Sequence, residues 1–543
     1  MTNMRALRRL GVLGVLATLA GLSACFDSDL TEVPKNIIVA DNLYTDLAGF
    51  EAGLNALYFQ VRRERFGQNN DVNNLVQTAM TAGTDNVYGM YVSPPERIFN
   101  QWVNFNVSTN DFITHIWNVM YQTINAANTI VERAENPSVS WTPEQKGRVV
   151  GEARLIRAWA YRHLTYLFGD VPLNLQESTG SNIRTDWERT PRDSVRRAII
   201  NDLRYAEANL PPTSANAGKV VKAVAQHYLA EMYLALYKPD SAEIWAQAVV
   251  SSGLYRLITA RYGVRASQPG TPFMDQFYDG NVNRVQGNTE VLWALQYAQN
   301  VPGGGASIMR RTYVTRYESN PGMRITAGYG GRGIGRLAMT RYAINLYEAT
   351  DERGGMHAIR RFYLYNNPTG LPAGRKIGDT LKTVATAVEP TSETSTAAAR
   401  LWPSTRKWDW AEGPDSTIAE QFNDQPYLRY AETLLLLAEA QLKNGKPGDA
   451  ATTINLLRAR AGATPITAAQ VTLAFILDER SRELVTEEHR RYTLLRTGTY
   501  LARVRQYNGR AAAAIRDQDT LLAIPQSVID ANLGRPFPQN PGF

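Results

Sequence analysis

Apolar side chains recur at steps of three and four residues through much of this chain, the spacing that lines one face of an α-helix. The clearest run is Tyr427, Tyr430, Ala431, Leu434, Leu437, Ala438 and Leu442. Asn423-Asp424 can cap the start of that helix, and Asn444-Gly445 supplies its stop. The same periodicity predicts helices over about 111–135, 143–168, 191–210, 219–237, 240–252, 447–461 and 470–497. Strand patterns are few. Glu290 to Tyr297 alternates well enough for one.

The helices repeat. Leu229-Ala230-Glu231 returns as Leu437-Ala438-Glu439, Leu234 as Leu442, Lys238-Pro239 as Lys446-Pro447, and Ala242 as Ala450, all at one offset. The shared unit is a helix, a tight Lys-Pro turn, and a second helix with a small residue near its start. Small residues let paired helices approach closely. The unit resembles the tetratricopeptide helix pair, and such pairs stack into a superhelix. The expected fold class is therefore mainly α: a tetratricopeptide-like superhelix with long irregular loops and a few short strands.

Three stretches lack periodicity: 62–108, 258–345 and 366–425. Loops this long in a compact protein are usually functional or disordered. Here they are rich in Tyr, Trp, Arg and Asn, which favours a binding surface over a linker. The organisation expected is a leader over 1–24, an N-terminal helical part over 25–255, a loop-rich ligand-side region over 256–425, and a C-terminal helical part over 426–543.

The leader is read from its own pattern. Arg5, Arg8 and Arg9 precede an apolar run from Leu10 to Leu22, and Leu22-Ser23-Ala24-Cys25 follows. A basic start, a short apolar run and small residues before a cleavage point make a secretory signal. The run is too short for a membrane-spanning helix, which needs roughly 20 apolar residues. Leu-Ser-Ala-Cys resembles the bacterial lipobox, in which the cysteine is lipidated. Cys25 is the only cysteine, so no internal disulfide competes for it. Lipid on Cys25, such as a palmitate, anchors the chain without making it span.

Composition narrows the function. The formal charge is +7, and three of those charges are the leader arginines. The remainder is too dilute over the mature chain for a nucleic-acid protein, which clusters its basic residues on one face. The chain has 10 Trp and 27 Tyr, flat apolar faces with polar edges that suit both wet binding surfaces and cores. Nothing assembles a catalytic site. The five histidines, His115, His163, His227, His357 and His489, are dispersed, and there is no His-Glu-x-x-His or Gly-x-Ser-x-Gly. Gly331, Gly333 and Gly335 have no strand leading in and read as a flexible loop. Glu487-Glu488-His489 reads as a charge run on a helix surface. Asp71, Asp85 and their asparagine neighbours could offer oxygens to a hard cation, but the spacing fits no EF-hand. No cofactor and no metal site is expected.

The segment Glu152 to Leu173 (EARLIRAWAYRHLTYLFGDVPL) resembles the SusD/RagB family of outer-membrane lipoproteins. The resemblance rests there on Glu152, Ala153, Arg157, Ala158, Tyr161 and Leu167 to Pro172. It continues through Arg429-Tyr430-Ala431-Glu432, Ala438-Glu439-Ala440, Ile454 to Gly462, Glu479 to Leu484, Glu487 to Arg490, Ile524-Pro525 and Gln539 to Phe543. Most of these residues have a structural reading. Glu479 and Glu483 lie one helical turn apart, as do Arg157 and Tyr161, which suits helix pairing through buried charge-assisted bonds. Gly169-Asp170-Val171-Pro172 ends a helix.

The resemblance implies a surface nutrient-binding subunit that is not an enzyme. It would capture oligosaccharides or peptides and hand them to a SusC-like TonB-dependent β-barrel transporter. It would sit on the outer membrane by its lipid, facing outward. The acidic Phe26-Asp27-Ser28-Asp29 loosely matches surface-export signals of such bacteria. Loop position and chemistry nominate Asn86, Tyr88, Tyr91, Trp102, Arg310, Tyr313 and Tyr329 as ligand-binding residues. Trp117 and Trp159 fall in periodic helices and belong to the core, and Trp293 packs in the strand. Two other readings stay open: a glycan hydrolase, which needs paired carboxylates in a cleft, and a helical-repeat scaffold that binds only protein.

Overall fold

The computed structural model describes residues 40–66, 75–90, 94–384, 400–410 and 416–543. The leader, Cys25, Tyr91 and Asp71 lie outside the described residues.

Six helices form the first block: α1 (Leu47–Arg62), α2 (Asp111–Arg133), α3 (Pro143–Leu167), α4 (Arg192–Asn209), α5 (Lys222–Ala235) and α6 (Pro239–Ser251). Their starts are chemically marked. The Asp46 carboxylate accepts the Gly49 N–H at 2.9 Å, and Asn110 accepts from Phe112 and Ile113. Thr142 and Gln145 close a capping box with Pro143 in the first turn. Helix α3 stops where Gly169 turns left-handed at φ 76°, as the Gly-Asp-Val-Pro sequence predicts. From α2 to α6 each helix packs on its predecessor. The second block is α7 (Tyr430–Lys443), α8 (Pro447–Arg460), α9 (Leu473–Leu484), α10 (Arg490–Arg496), α11 (Tyr500–Tyr507) and α12 (Gln526–Ala531). Helix α7 packs against α6, so the second copy of the repeat stacks directly on the first. The repeated glutamates do equivalent work. Glu231 receives Arg162 at 2.8 Å, and Glu439 receives Arg496. Among the described residues, no helix is long and apolar enough to cross a membrane.

Two expectations fail for tertiary reasons. Residues 425–429 do not belong to the helix. They form β8 (Gln425–Arg429), which pairs antiparallel with β2 (Val291–Leu295), Leu428 opposite Trp293. Asp424 is therefore no cap. Its carboxylate accepts the Tyr297 N–H at 3.0 Å and the Asn283 amide at 2.6 Å. The span 470–497 is two helices, because Thr486 sits at φ 67° between them. That break turns Glu487 and Glu488 inward. Glu487 receives Arg429 at 2.7 Å and Lys407, and Glu488 receives Arg480 and Arg490. The expected surface charge run is a buried one.

Where described, the regions between the helical blocks are packed structure. The three irregular stretches contribute β1 (Val87–Gly89), β3 (Leu337–Met339), β6 (Thr380–Lys382) and β7 (Ser404–Thr405), and the segment between the last two stretches adds β4 (Ile359–Arg360) and β5 (Phe362–Leu364). These pair as β1–β3, β4–β7 and β5–β6, all antiparallel. A satellite core of Tyr88, Met339, Ile344, Ile359, Trp402 and Val485 lies among them.

Where that layer meets the second helical block, ions replace oil. Glu483 accepts from Arg429 at 2.9 Å, Arg460 at 2.6 Å and Arg353 at 3.1 Å. Glu290 accepts from Arg429 and Arg460. Glu479 accepts from Arg458 and Arg482 and is ion-paired with Arg353. Every one of these carboxylates is fully buried. The buried charge-assisted bonding expected of Glu479 and Glu483 is thus what joins α8, α9 and the loop-rich layer.

Candidate functional site

The residues nominated from loop chemistry do not converge on a surface. Tyr88 is fully buried with its ring edge-on to Trp402 at 6.0 Å. Trp102 is fully buried between Phe99 at 5.3 Å and the Arg491 guanidinium at 5.0 Å. Arg310 is fully buried and donates to the Trp410 and Glu420 carbonyls, tying down the strand of chain before β8. Tyr313 is buried beside Trp408 and donates to Thr81 at 3.3 Å. Asn86 is buried as well. Tyr329 is half-buried, and its hydroxyl exchanges hydrogen bonds with the Leu364 backbone. The reason is common to all six. A helical superhelix leaves one apolar face to cover, and the irregular segments cover it with their aromatics. Asp85 is likewise no cation ligand: Arg490 holds it bidentately at 2.8 and 2.7 Å, and Arg503 adds a third bond.

Two solvent-open clefts carry the remaining binding chemistry. Their volumes, about 740 and 620 Å3, fall within the ~300–1,000 Å3 range of small-molecule sites. The larger lies between α2, the segment after α3, and α12. Trp117, Tyr121, Trp187 and Phe537 supply its aromatic surface, and Asn118, Gln122 and Asn125 its amides. Much of that chemistry is already committed. Trp117 is 4% exposed and tilts onto Tyr121 at 5.0 Å. Arg184 covers one face of Trp187 at 4.3 Å. Asn125 exchanges hydrogen bonds with the Ser178 backbone, and Asn532 does the same with Trp187.

The smaller cleft lies between α1 and β2. Trp293 and Tyr58 form its floor, packed edge-on at 6.5 Å. Trp293 donates to the Gly218 carbonyl at 3.0 Å. The Tyr58 hydroxyl donates to Glu152 at 2.7 Å and accepts the Val220 N–H. Burial, and after it the Glu152 carboxylate, push this phenol well above its usual range, so it remains a donor. Phe59 stands at the mouth, 38% exposed. Arg62 holds the far wall by donating to the Gln296 and Gly303 carbonyls at 2.7 and 2.6 Å. Gly303 lines the cleft with backbone, at a left-handed φ of 76° that side-chain-bearing residues rarely adopt. Asn55 and Asn216 are exposed at the rim. Among the described residues, neither cleft is lined by an aspartate or glutamate, so neither offers the paired carboxylates of a glycosidase. No cluster of ligating side chains for a metal occurs among the described residues.

The signal for both clefts was present in the helices. Helix α1 buries Phe50, Leu54, Leu57 and Val61, and Phe59 falls off that stripe. Helix α2 carries Asn118, Gln122 and Asn125 at one-turn steps, a ladder of amides where a solvent face would use charges.

The molecule is a stack of helix pairs that holds a loop-rich layer and leaves two open aromatic clefts. The chain belongs to the SusD/RagB family. The family model described as "SusD family" matches residues 382–543, and the one described as "Starch-binding associating with outer membrane" matches residues 43–234. A SusD-like protein of Formosa agariphila is 27% identical over 280 residues, 51% of either chain. The chain thus spans about half the length of that curated relative. The crystal structure of a SusD homolog from Bacteroides thetaiotaomicron superposes with a TM-score of 0.72 at 19% identity, covering 95% of this chain and all of that one. A laminarin-binding SusD-like protein superposes with a TM-score of 0.65 at 20% identity, covering 91% of this chain and 99% of that one.

Proposed function

We propose that this protein captures glycans at the outer surface of the outer membrane and passes them to a TonB-dependent β-barrel transporter, without cleaving them. The reading rests on the cleft between α1 and β2. Sugar rings present apolar C–H faces, which stack on an open aromatic ring, and hydroxyls, which pair with amides and guanidinium groups. Phe59 offers the open ring, and Asn55, Asn216, Arg62 and the Gly303 backbone flank it. Family membership supports binding over hydrolysis. The laminarin named for one structural relative makes that glucan the first ligand to try.

The test is calorimetry of the mature chain against laminarin, starch and peptide mixtures. Phe59→Ala is expected to weaken the bound glycan about tenfold, equivalent to ~1.4 kcal/mol. The larger cleft has the greater aromatic area, and Trp187→Ala reports on it. Loss of affinity in Trp187→Ala with none in Phe59→Ala moves the site there. Retained affinity in both variants rejects both clefts. Release of reducing sugar by the purified chain would reject the binding role itself.

Anchoring is tested separately. Cys25→Ser is expected to move the protein from the membrane fraction to the soluble one, and a variant still in the membrane fraction would refute lipidation at Cys25. The lipid would tether the subunit beside its transporter at high effective concentration.

A further inference from the structure

A third cavity, of about 200 Å3, lies away from both clefts, where the ends of α3, α5 and α10 meet the start of α4. Its polar lining is Tyr166, Tyr237, Arg192, Arg196 and Arg496 with two threonines, and among the described residues no carboxylate lines it. Asp193 and Glu439 pair with these arginines from outside the cavity, and no carboxylate stands among the three guanidinium groups in its lining.

The arginines are held by their outer edges. Arg496 gives Nη1 to Glu439, and Glu439 is shared with Lys443. Its Nε and Nη2 are buried and have no partner. Those two nitrogens form one side of the guanidinium plane, the fork that takes two oxygens of a tetrahedral oxyanion. Arg196 gives Nη1 to the Ala235 carbonyl at 3.1 Å and to Asp193, and its Nε is buried without a partner. The Tyr166 hydroxyl is also buried without a partner. Burial, and then Glu231, raise this phenol, so it stays a donor. Arg496, Arg196 and Tyr166 are 4%, 5% and 2% exposed. Buried donors in native proteins are satisfied almost without exception. Arg192 and Arg196 lie in the first turns of α4, an 18-residue helix whose first N–H already goes to the Asp170 carboxylate at 2.7 Å.

We propose that this cavity is a binding site for a sulfate or phosphate group, with Arg496 as the bidentate fork, Arg196 and Tyr166 as flanking donors, and Arg192 at the entrance. The volume would hold on the order of six or seven waters at ~30 Å3 each, enough for one oxyanion with its residual hydration. Arg192 and the 76%-exposed Tyr237 form the rim, leaving an opening through which the group could be carried on a larger molecule.

The experiment is thermal unfolding and calorimetry of the mature chain with sodium sulfate, sodium phosphate, galactose 6-sulfate and glucose 6-phosphate, against sodium chloride at matched ionic strength. Saturable 1:1 binding with a rise in Tm is expected for at least one of the four. Tyr166→Phe keeps the ring stacked on Tyr492 at 4.6 Å and removes only the donor, so it tests the site without threatening the fold. It is expected to weaken binding several-fold, and Arg196→Gln at least tenfold. Binding by the esters alone identifies a group presented on a sugar; binding by the inorganic ions identifies a free ion. No saturable binding by any of the four overturns the proposal. So does binding that both variants retain unchanged, which would place the anion elsewhere.

Discussion

Glu483→Ala is expected to destabilise the protein by ~3–5 kcal/mol, because it strands buried cations. Arg429, Arg460 and Arg353 all donate to Glu483, and none can reach water. Glu290 and Glu479 remain to hold these arginines, but they already have partners of their own, so the positive charge is left in excess. Urea unfolding of wild type and variant checks the value, and a loss below 1 kcal/mol would show the network to be dispensable. Glu483→Gln keeps the shape and should recover only part of the loss.

The same network fixes how the protein responds to acid. Burial by itself would raise Glu483, but Arg460, Arg429 and Arg353 outweigh it and hold the carboxyl below its usual 4.5. Arg353, Arg482 and Arg458 do this for Glu479, and Arg429 and Lys407 for Glu487, again against burial. Hydrogen bonds from Thr464 and the charge of Arg458 hold Glu348 at about 2. A carboxyl with a depressed value in the folded state contributes stability that is complete above its unfolded value, about 4.5, and fades as pH falls through the folded value. Melting temperature should therefore fall as pH drops from 4.5 toward 2. Glu483→Gln should show a shallower fall, and a parallel one would remove Glu483 from the account.

Trp102→Ala is expected to cost ~3–5 kcal/mol and to leave glycan affinity of the remaining folded protein unchanged. The indole is fully buried and wedged between Phe99 and Arg491, with Gly83 close against it. Removing it empties a site that backbone cannot refill, and it uncovers the Arg491 guanidinium, which donates to Tyr500 and the Asp519 carbonyl. Circular dichroism melting and calorimetry on the same sample separate the two effects. A stable variant with weakened glycan binding would restore Trp102 as a ligand residue and contradict its packing.

Helix spans were legible because their cause is local. Thr142 with Gln145, Asn110, Gly169 and Gly445 mark ends within a few residues of themselves, and the apolar stripe needs only a one-turn window. The repeat was legible for the same reason, and its paired glutamates kept the same task in both copies. What misled was the reading of aromatics in aperiodic sequence as a wet surface. Tyr88, Trp102 and Tyr313 show no periodicity because they belong to elements of three to five residues, a strand, a 3-10 turn and a short helix, yet they pack as tightly as any helix stripe. Phe59 sat in a plainly helical segment, and only its position off the buried stripe marked it.

The helix pairs, their repeat and the family could be read directly from the chain, since each is written in residues close along it. Tertiary structure alone decided that residues 425–429 leave their helix to pair with β2, that Glu487 and Glu488 turn inward at Thr486, and which aromatics see solvent. It also decided where Arg196 and Arg496 meet. The reason is common to these cases. Strand pairing, ion pairing and burial are each settled by partners tens to hundreds of residues away, and no window along the chain contains both members.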